Sequence, residues 1–270
     1  MIFTGQIPAT WSPAAKNLLR NVVSQENEIV DWIDRNLKTG CISPTDPFEE
    51  HVVAIVKQRS FDDTLVPLWD MFNHANAPHV NTNNTSMYDE SGYMKVWASQ
   101  PIQAGEELFE SYDMCLDCRN IRNEWGTPEI LRDFGFVEGY PHRYMYEEAG
   151  LWFDVSELDN EGKKKIVHWD DDGTYTINWE DGVSFGAPNG TAIEFMRKEI
   201  EKLDALSNHA RADSSIPKHE LDVILQYRDA AIFDLTLAIE EAERKLTNEK
   251  DLDGACNTNG VKNFQMARKQ

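Results

Sequence analysis

Basic residues are scarce in this sequence. Lys and Arg number 26 of 270 residues against 47 Asp and Glu, which gives a formal net charge of −21. A surface this acidic repels phosphate backbones, so the composition argues against nucleic-acid binding and favours a basic partner. Long apolar runs are also missing. None approaches the roughly 20 residues that a membrane helix requires, so no membrane association is predicted.

Cysteine is scarce as well. The chain has four, and only Cys115 and Cys118 are closely spaced, in a single Cys-x-x-Cys. A tetrahedral zinc site needs four ligands and no second pair accompanies this one, so no metal site is predicted. Four cysteines do not form a disulfide scaffold, and no basic segment followed by an apolar stretch opens the sequence. Both features favour an intracellular, reducing compartment, with cytoplasm, nucleus and plastid not distinguished.

The apolar residues that are present suffice for a folded core, at 41% hydrophobic and 10% aromatic. They recur at helical spacing in residues 13–38 and in two stripes between residues 191 and 247. The polar link 207–219 joins the stripes, which predicts an antiparallel helix pair. Short apolar pieces separated by polar loops fill residues 65–109 and 151–185 and predict short strands. The predicted fold class is α+β.

Changes in this pattern divide the chain into five segments. They are an N-terminal helical segment (1–47), a central core (48–140), an acidic β-containing connector (141–190), a helical region (191–247) and a flexible tail (248–270).

Two polar motifs stand out in the central core. The first is Asn-His-Ala-Asn-Ala-Pro-His at residues 73–79, and the second is Gly-Glu-Glu-Leu at residues 105–108, which leads to Tyr112. Taken separately, each has an ordinary explanation. Asn and His often satisfy loop amides, and a Tyr often packs in a core with its hydroxyl hydrogen-bonded. Their order and separation carry more weight than either motif alone.

Together the motifs resemble the C-terminal half of a SET-domain methyltransferase, in which an Asn-His block precedes Gly-Glu-Glu and a Tyr. Leu-Val-Pro-Leu at residues 65–68 and the block at residues 127–137 are similar to the Rubisco large-subunit methyltransferase-like branch. The helical region resembles the substrate-binding domain of that branch. This resemblance is most specific over about residues 48–140. It implies a SET-like module of short sheets and flanking helices, followed by a mainly helical C-terminal region.

The resemblance implies methyl transfer from S-adenosylmethionine to a lysine side chain of a protein, with histidine as the less favoured acceptor. Tyr112 matches the family tyrosine that aims its hydroxyl at the transferring methyl group, and is the catalytic candidate. Asn73 and His74 match residues that lie at the cofactor. The candidates for substrate binding are Arg59, Asp70, Phe134 and Phe136, of which Phe134 stands where the family often has Tyr.

One family feature is missing. SET domains hold the cofactor partly through an N-terminal Gly-x-Gly-like strand, and residues 1–47 contain only the isolated Gly5 and Gly40. Glycine lets backbone approach a ligand closely, so its absence predicts weak cofactor binding or none. The chain is then expected to be a piece of a longer protein or a non-catalytic relative. The alternative function is a SET-derived adaptor that binds a basic protein through its acidic surface and helical region.

Overall fold

Helices and short strands alternate along the chain. The computed structural model describes residues 7–22, 46–61, 64–76, 79–85, 93–112, 126–146, 149–158, 164–165, 174–179, 190–212 and 214–260. Within these residues the helices are α1 (Pro13–Val22), α2 (Pro47–Arg59), α3 (Thr127–Phe134), α4 (Gly190–Ala212) and α5 (Lys218–Gly260). The strands are β1 (Ser60–Phe61), β2 (Thr64–Leu65), β3 (Asn73–His74), β4 (Thr82–Asn84), β5 (Val96–Ala98), β6 (Phe109–Glu110), β7 (His142–Tyr146), β8 (Leu151–Leu158), β9 (Lys164–Lys165) and β10 (Thr174–Trp179). The fold is therefore α+β, as the sequence pattern predicts.

The described strands form four small sheets. β1 pairs with β2 and β4 with β5, both antiparallel, while β3 and β6 pair in parallel. The largest sheet has the order β10–β8–β7, with β9 also on β8, and is antiparallel throughout. In the parallel pair, Asn73 lies opposite Phe109 and His74 opposite Glu110. This register brings the two sequence motifs side by side.

The main hydrophobic core lies where β7 and β8 meet α1, α4 and α5. Tyr144 and Phe153 contribute from the sheet, Leu19 from α1 and Leu235 from α5, and all four are fully buried. The helical members fall on the apolar stripes that the sequence shows, because residues three or four apart share a helix face. No described helix is long and apolar enough to cross a membrane.

A buried carboxylate ties α1 to α5. The backbone N–H and the hydroxyl of Ser12 donate hydrogen bonds to Glu220, in the first turn of α5, at 3.1 and 2.7 Å. The Ser12 oxygen also accepts the Ala15 N–H, as a helix N-cap does. Pro13 occupies the first helical position, where no N–H is needed. The helix predicted over residues 13–38 is thus present at its start, and its part beyond Val22 lies outside the described residues.

The C-terminal helix pair is longer than the sequence predicts. α4 continues to Ala212, so the link shrinks to residues around 214–217, and α5 runs past Thr247 to Gly260. The predicted tail is therefore helical as far as Gly260. The sequence of strand β7 does not alternate between polar and apolar residues. All five of its side chains are buried, so neither face of the strand needs to be polar.

Candidate active site

The parallel pair of β3 and β6 is the frame of the candidate site. Asn81 holds β6 through its carboxamide, which accepts the Phe109 N–H and donates to the Glu107 carbonyl, each at 2.8 Å. The Thr82 hydroxyl donates to the Phe109 carbonyl at 2.6 Å. A two-residue strand has few ladder hydrogen bonds of its own, so these side chains keep β6 in register. They thereby fix the position of the strand from which the segment with Tyr112 continues.

Tyr112 is anchored by both its side chain and its backbone. Its hydroxyl donates to the Phe72 carbonyl at 2.7 Å, and its backbone N–H donates to Nδ1 of His74 at 3.0 Å. Its ring centroid lies 5.1 Å from that of His74 and 4.4 Å from that of Phe134. Because the hydroxyl proton is directed at Phe72, the oxygen lone pairs are what Tyr112 can offer a substrate.

The Tyr112 hydroxyl stays protonated at neutral pH. Burial raises the pKa of Tyr112 to about 12, the charge of Glu110 adds to the rise, and the charge of Arg59 opposes it. A phenol with this pKa is not the base that removes a proton from an amine near pH 7. Tyr112 is therefore suited to orient a neutral amine rather than to deprotonate it.

A buried glutamate that sequence reasoning missed completes the site. The carboxylate of Glu138 lies 2.9 Å from Nε2 of His74 and accepts hydrogen bonds from Asn76 at 2.8 Å and Thr127 at 2.5 Å. Burial acts to raise the pKa of Glu138, but the bond from His74, the attraction of His142 and the bond from Thr127 outweigh it and lower the pKa. Glu138 is thus ionised at neutral pH. Nothing in the sequence distinguishes it from the other acidic residues.

Helix α3 carries the two predicted phenylalanines to the same place. It ends at Gly135, whose φ of 76° is left-handed and suits glycine. Phe134 ends the helix beside Tyr112, and the turn brings Phe136 to His74, where the two ring centroids lie 5.8 Å apart. Tyr112, His74 and these two phenylalanines form one cluster, named here the aromatic cluster.

The remaining predicted residues lie at an exposed rim. Arg59, the last residue of α2, donates to the backbone carbonyl of Asp70 at 2.9 Å, so Asp70 takes part through its backbone. The Asn73 carboxamide donates to the carboxylate of Glu107, and both residues are exposed. The structure therefore places His74 and Tyr112 at the centre and these residues around it.

Glu110 is a second buried acid of the site, and burial raises its pKa to about 8. The folded protein thus keeps a proton that the unfolded chain, with a pKa of 4.5, releases. Stability should fall as pH rises from 4.5 to 8, and Glu110→Gln should be more stable than wild type at pH 7 by up to roughly 3 kcal/mol. Urea denaturation at pH 5 and pH 7 measures this gain. Glu106→Gln, at an exposed position, is the control and should keep the pH dependence of wild type. If Glu110→Gln also kept the pH dependence of wild type, the raised pKa of Glu110 would be contradicted.

No group of three or more His, Cys, Asp or Glu that could hold a metal ion lies among the residues that the structure describes. Cys115 and Cys118 lie outside those residues, so the expectation that they bind no zinc stays a prediction.

Comparison with known protein families points to the family that the two motifs resemble. Residues 10–113 match the family model of the SET domain, a range that contains β3 and β6 and ends one residue after Tyr112. This match supports a SET-domain protein, and SET domains in general belong to protein-lysine methyltransferases. No curated protein and no solved structure matches the chain.

Proposed function

We propose that this protein transfers a methyl group from S-adenosylmethionine to a lysine side chain of a protein, as an enzyme of the Rubisco large-subunit methyltransferase-like branch. The observation that carries the proposal is the aromatic cluster, in which the Tyr112 ring packs against His74 and Phe134 while its hydroxyl proton is donated to the Phe72 carbonyl. The cluster is built from β3, from the segment that follows β6, and from the end of α3 with the turn after it.

The exposed surface beside β3 fits the cofactor chemically. S-adenosylmethionine joins an adenosine to positively charged sulfonium and ammonium groups, so it suits apolar surface next to acid and amide groups. Leu68 and Met71 are 78% and 68% exposed, and the exposed Asn73 follows two residues after Met71, with its carboxamide hydrogen-bonded to the exposed Glu107. When bound, the cofactor supplies an electrophilic methyl group. Asn73 and His74 are the residues that would hold it.

The aromatic cluster meets the two needs of the acceptor. A lysine in water has a pKa of about 10.4 and must lose its proton before it can attack. Contact with aromatic rings removes water from the amine, which lowers its pKa and favours the neutral form. The Tyr112 oxygen, whose own proton is directed at Phe72, can accept an N–H of that amine and aim its lone pair.

The charge of the chain supports a basic substrate. With a net charge of −21, the protein attracts Lys-rich segments and repels nucleic acid. Such attraction accelerates association and weakens as salt is added, because exposed charges are screened within about 8 Å at physiological ionic strength.

Cofactor binding is tested by calorimetric titration of S-adenosylmethionine into the full chain, up to about 1 mM. We expect weak but measurable binding, which Met71→Lys lowers about 10-fold because it adds a like charge and removes apolar surface. Val96→Lys, at another exposed apolar residue on β5, is the matched control and should bind as wild type. No binding at the highest concentration would count against the enzyme and favour a non-catalytic adaptor.

A further inference from the structure

Hydrogen bonding fixes the tautomer of His74. Nδ1 lies 3.0 Å from the backbone nitrogen of Tyr112, and because an N–H can only donate, this ring nitrogen carries no proton. The ring proton is therefore on Nε2, where it is donated to the Glu138 carboxylate at 2.9 Å. The His74 side chain is only 3% exposed, so water does not readily replace either partner.

Glu138 is held in turn from several directions. Its side chain has no exposed surface, and Thr127 and Asn76 donate to its two carboxylate oxygens. Its backbone carbonyl accepts Nε2 of His142 at 3.0 Å. Because both its side-chain oxygens and its backbone carbonyl are held, Glu138 offers the imidazole an acceptor at one position. That position determines the orientation of the His74 ring and which ring nitrogen carries the proton.

We propose that Glu138 is a positioning residue for Tyr112: it fixes the tautomer and orientation of His74, whose Nδ1 accepts the Tyr112 backbone N–H. Without this carboxylate the proton can occupy either ring nitrogen. A proton on Nδ1 would face the Tyr112 N–H, two donors against each other, and Tyr112 would lose its backbone anchor. The consequence for catalysis rests on the proposed function, whereas the consequence for the His74 tautomer does not.

Nitrogen-15 NMR of the imidazole in the full chain reads the tautomer directly. In wild type we expect His74 to be protonated on Nε2 and unprotonated on Nδ1. Glu138→Leu, similar in size but without an acceptor, should give a mixture of both tautomers. Glu138→Gln should keep the wild-type form, because its amide oxygen can accept from His74 while its NH2 group faces the Thr127 oxygen.

Glu240→Leu, at an exposed position of α5, is the matched control and should leave the His74 signals unchanged. An unchanged His74 spectrum in Glu138→Leu would overturn the proposal. If Glu138→Leu does not fold, the wild-type spectrum decides alone. A proton on Nδ1 in wild type would contradict the hydrogen bonds on which the proposal rests.

Turnover provides the second measurement. For each folded molecule, Glu138→Leu should lower kcat between about 10- and 100-fold with a smaller change in peptide KM, and Glu138→Gln should recover most of the rate. If wild type shows the expected tautomer but no methyl transfer, the proposed function is wrong, while the role of Glu138 in fixing the His74 tautomer is retained. If wild type is active and Glu138→Leu turns over at the same rate, the positioning role of Glu138 is wrong and the proposed function is unaffected.

Discussion

Replacing Tyr112 with Phe should lower the rate of methyl transfer by about 100-fold or more while leaving the affinity for S-adenosylmethionine nearly unchanged. In the proposed mechanism the hydroxyl oxygen acts on the amine as the methyl group transfers. The ring itself, packed against His74 and Phe134, remains in the variant. A group that acts mainly in the transition state changes kcat rather than binding. Rate and cofactor dissociation constant should therefore be measured separately.

Tyr93→Phe is the matched control for this experiment, because Tyr93 is exposed and lies outside the aromatic cluster. The same hydroxyl is removed there, and neither rate nor affinity should change. A Tyr112→Phe variant that keeps most of its rate would remove Tyr112 from the catalytic role.

The second large effect is expected at a buried polar cluster between β7 and α5. Asp234 has no exposed surface and accepts hydrogen bonds from the hydroxyls of Tyr140 at 3.0 Å and Tyr144 at 2.8 Å. Its carboxylate lies 2.7 Å from Nδ1 of His142, whose Nε2 donates to the Glu138 carbonyl. Both ring nitrogens thus face acceptors. Burial acts to lower the pKa of His142, but Asp234 and Glu138 outweigh it and raise the pKa above its ordinary value of 6.5, so the ring is mainly a cation at pH 6.

Asp234→Ala should destabilise the fold by about 3–5 kcal/mol, because it leaves a buried cation and two buried hydroxyls without their acceptor. The control is Asp222→Ala on the same helix, where an exposed carboxylate pairs with Lys218. That change should cost less than about 1 kcal/mol. Urea denaturation at pH 6 measures both. Equal losses at the two positions would show that the buried cluster does not stabilise the fold.

The pH dependence of this loss has a definite sign. Because the pKa of His142 is raised, its contribution is complete below its ordinary value of 6.5 and disappears as pH rises through the folded pKa. The difference in stability between wild type and Asp234→Ala should therefore be largest near pH 6 and shrink at alkaline pH. Glu110 remains in both proteins, so its own titration cancels in the difference. A difference that grows with pH would contradict the imidazolium assignment.

At the centre of the candidate site, residue type and order carry the signal that the sequence offers. Two motifs suffice to expect His74 and Tyr112 together, and the structure brings their rings to 5.1 Å. The resemblance also predicts Phe134 and Phe136 near Tyr112, and the end of α3 brings their rings into the same cluster. The catalytic and binding roles of these residues stay predictions.

The supporting residues could not be predicted, because their partners are distant in sequence. His74 and Glu138 are 64 residues apart, and His142 and Asp234 are 92 apart. Charged residues are usually exposed, so a pattern-based prediction assigns such acids to the surface unless the partner is known. Strand β7 lies in the segment predicted as an acidic β-containing connector (141–190), and all five of its side chains are buried.

The most direct test of the account is mass spectrometry of the acceptor after incubation of the full chain with S-adenosylmethionine carrying a deuterated methyl group. The substrates are a library of basic peptides and matched libraries in which each Lys is replaced by Arg or by His. The account predicts deuterated methyl groups on the ε-nitrogen of lysine, absent from the Arg set and strongly reduced with Tyr112→Phe. A chain that binds S-adenosylmethionine and these peptides yet labels no lysine would contradict it.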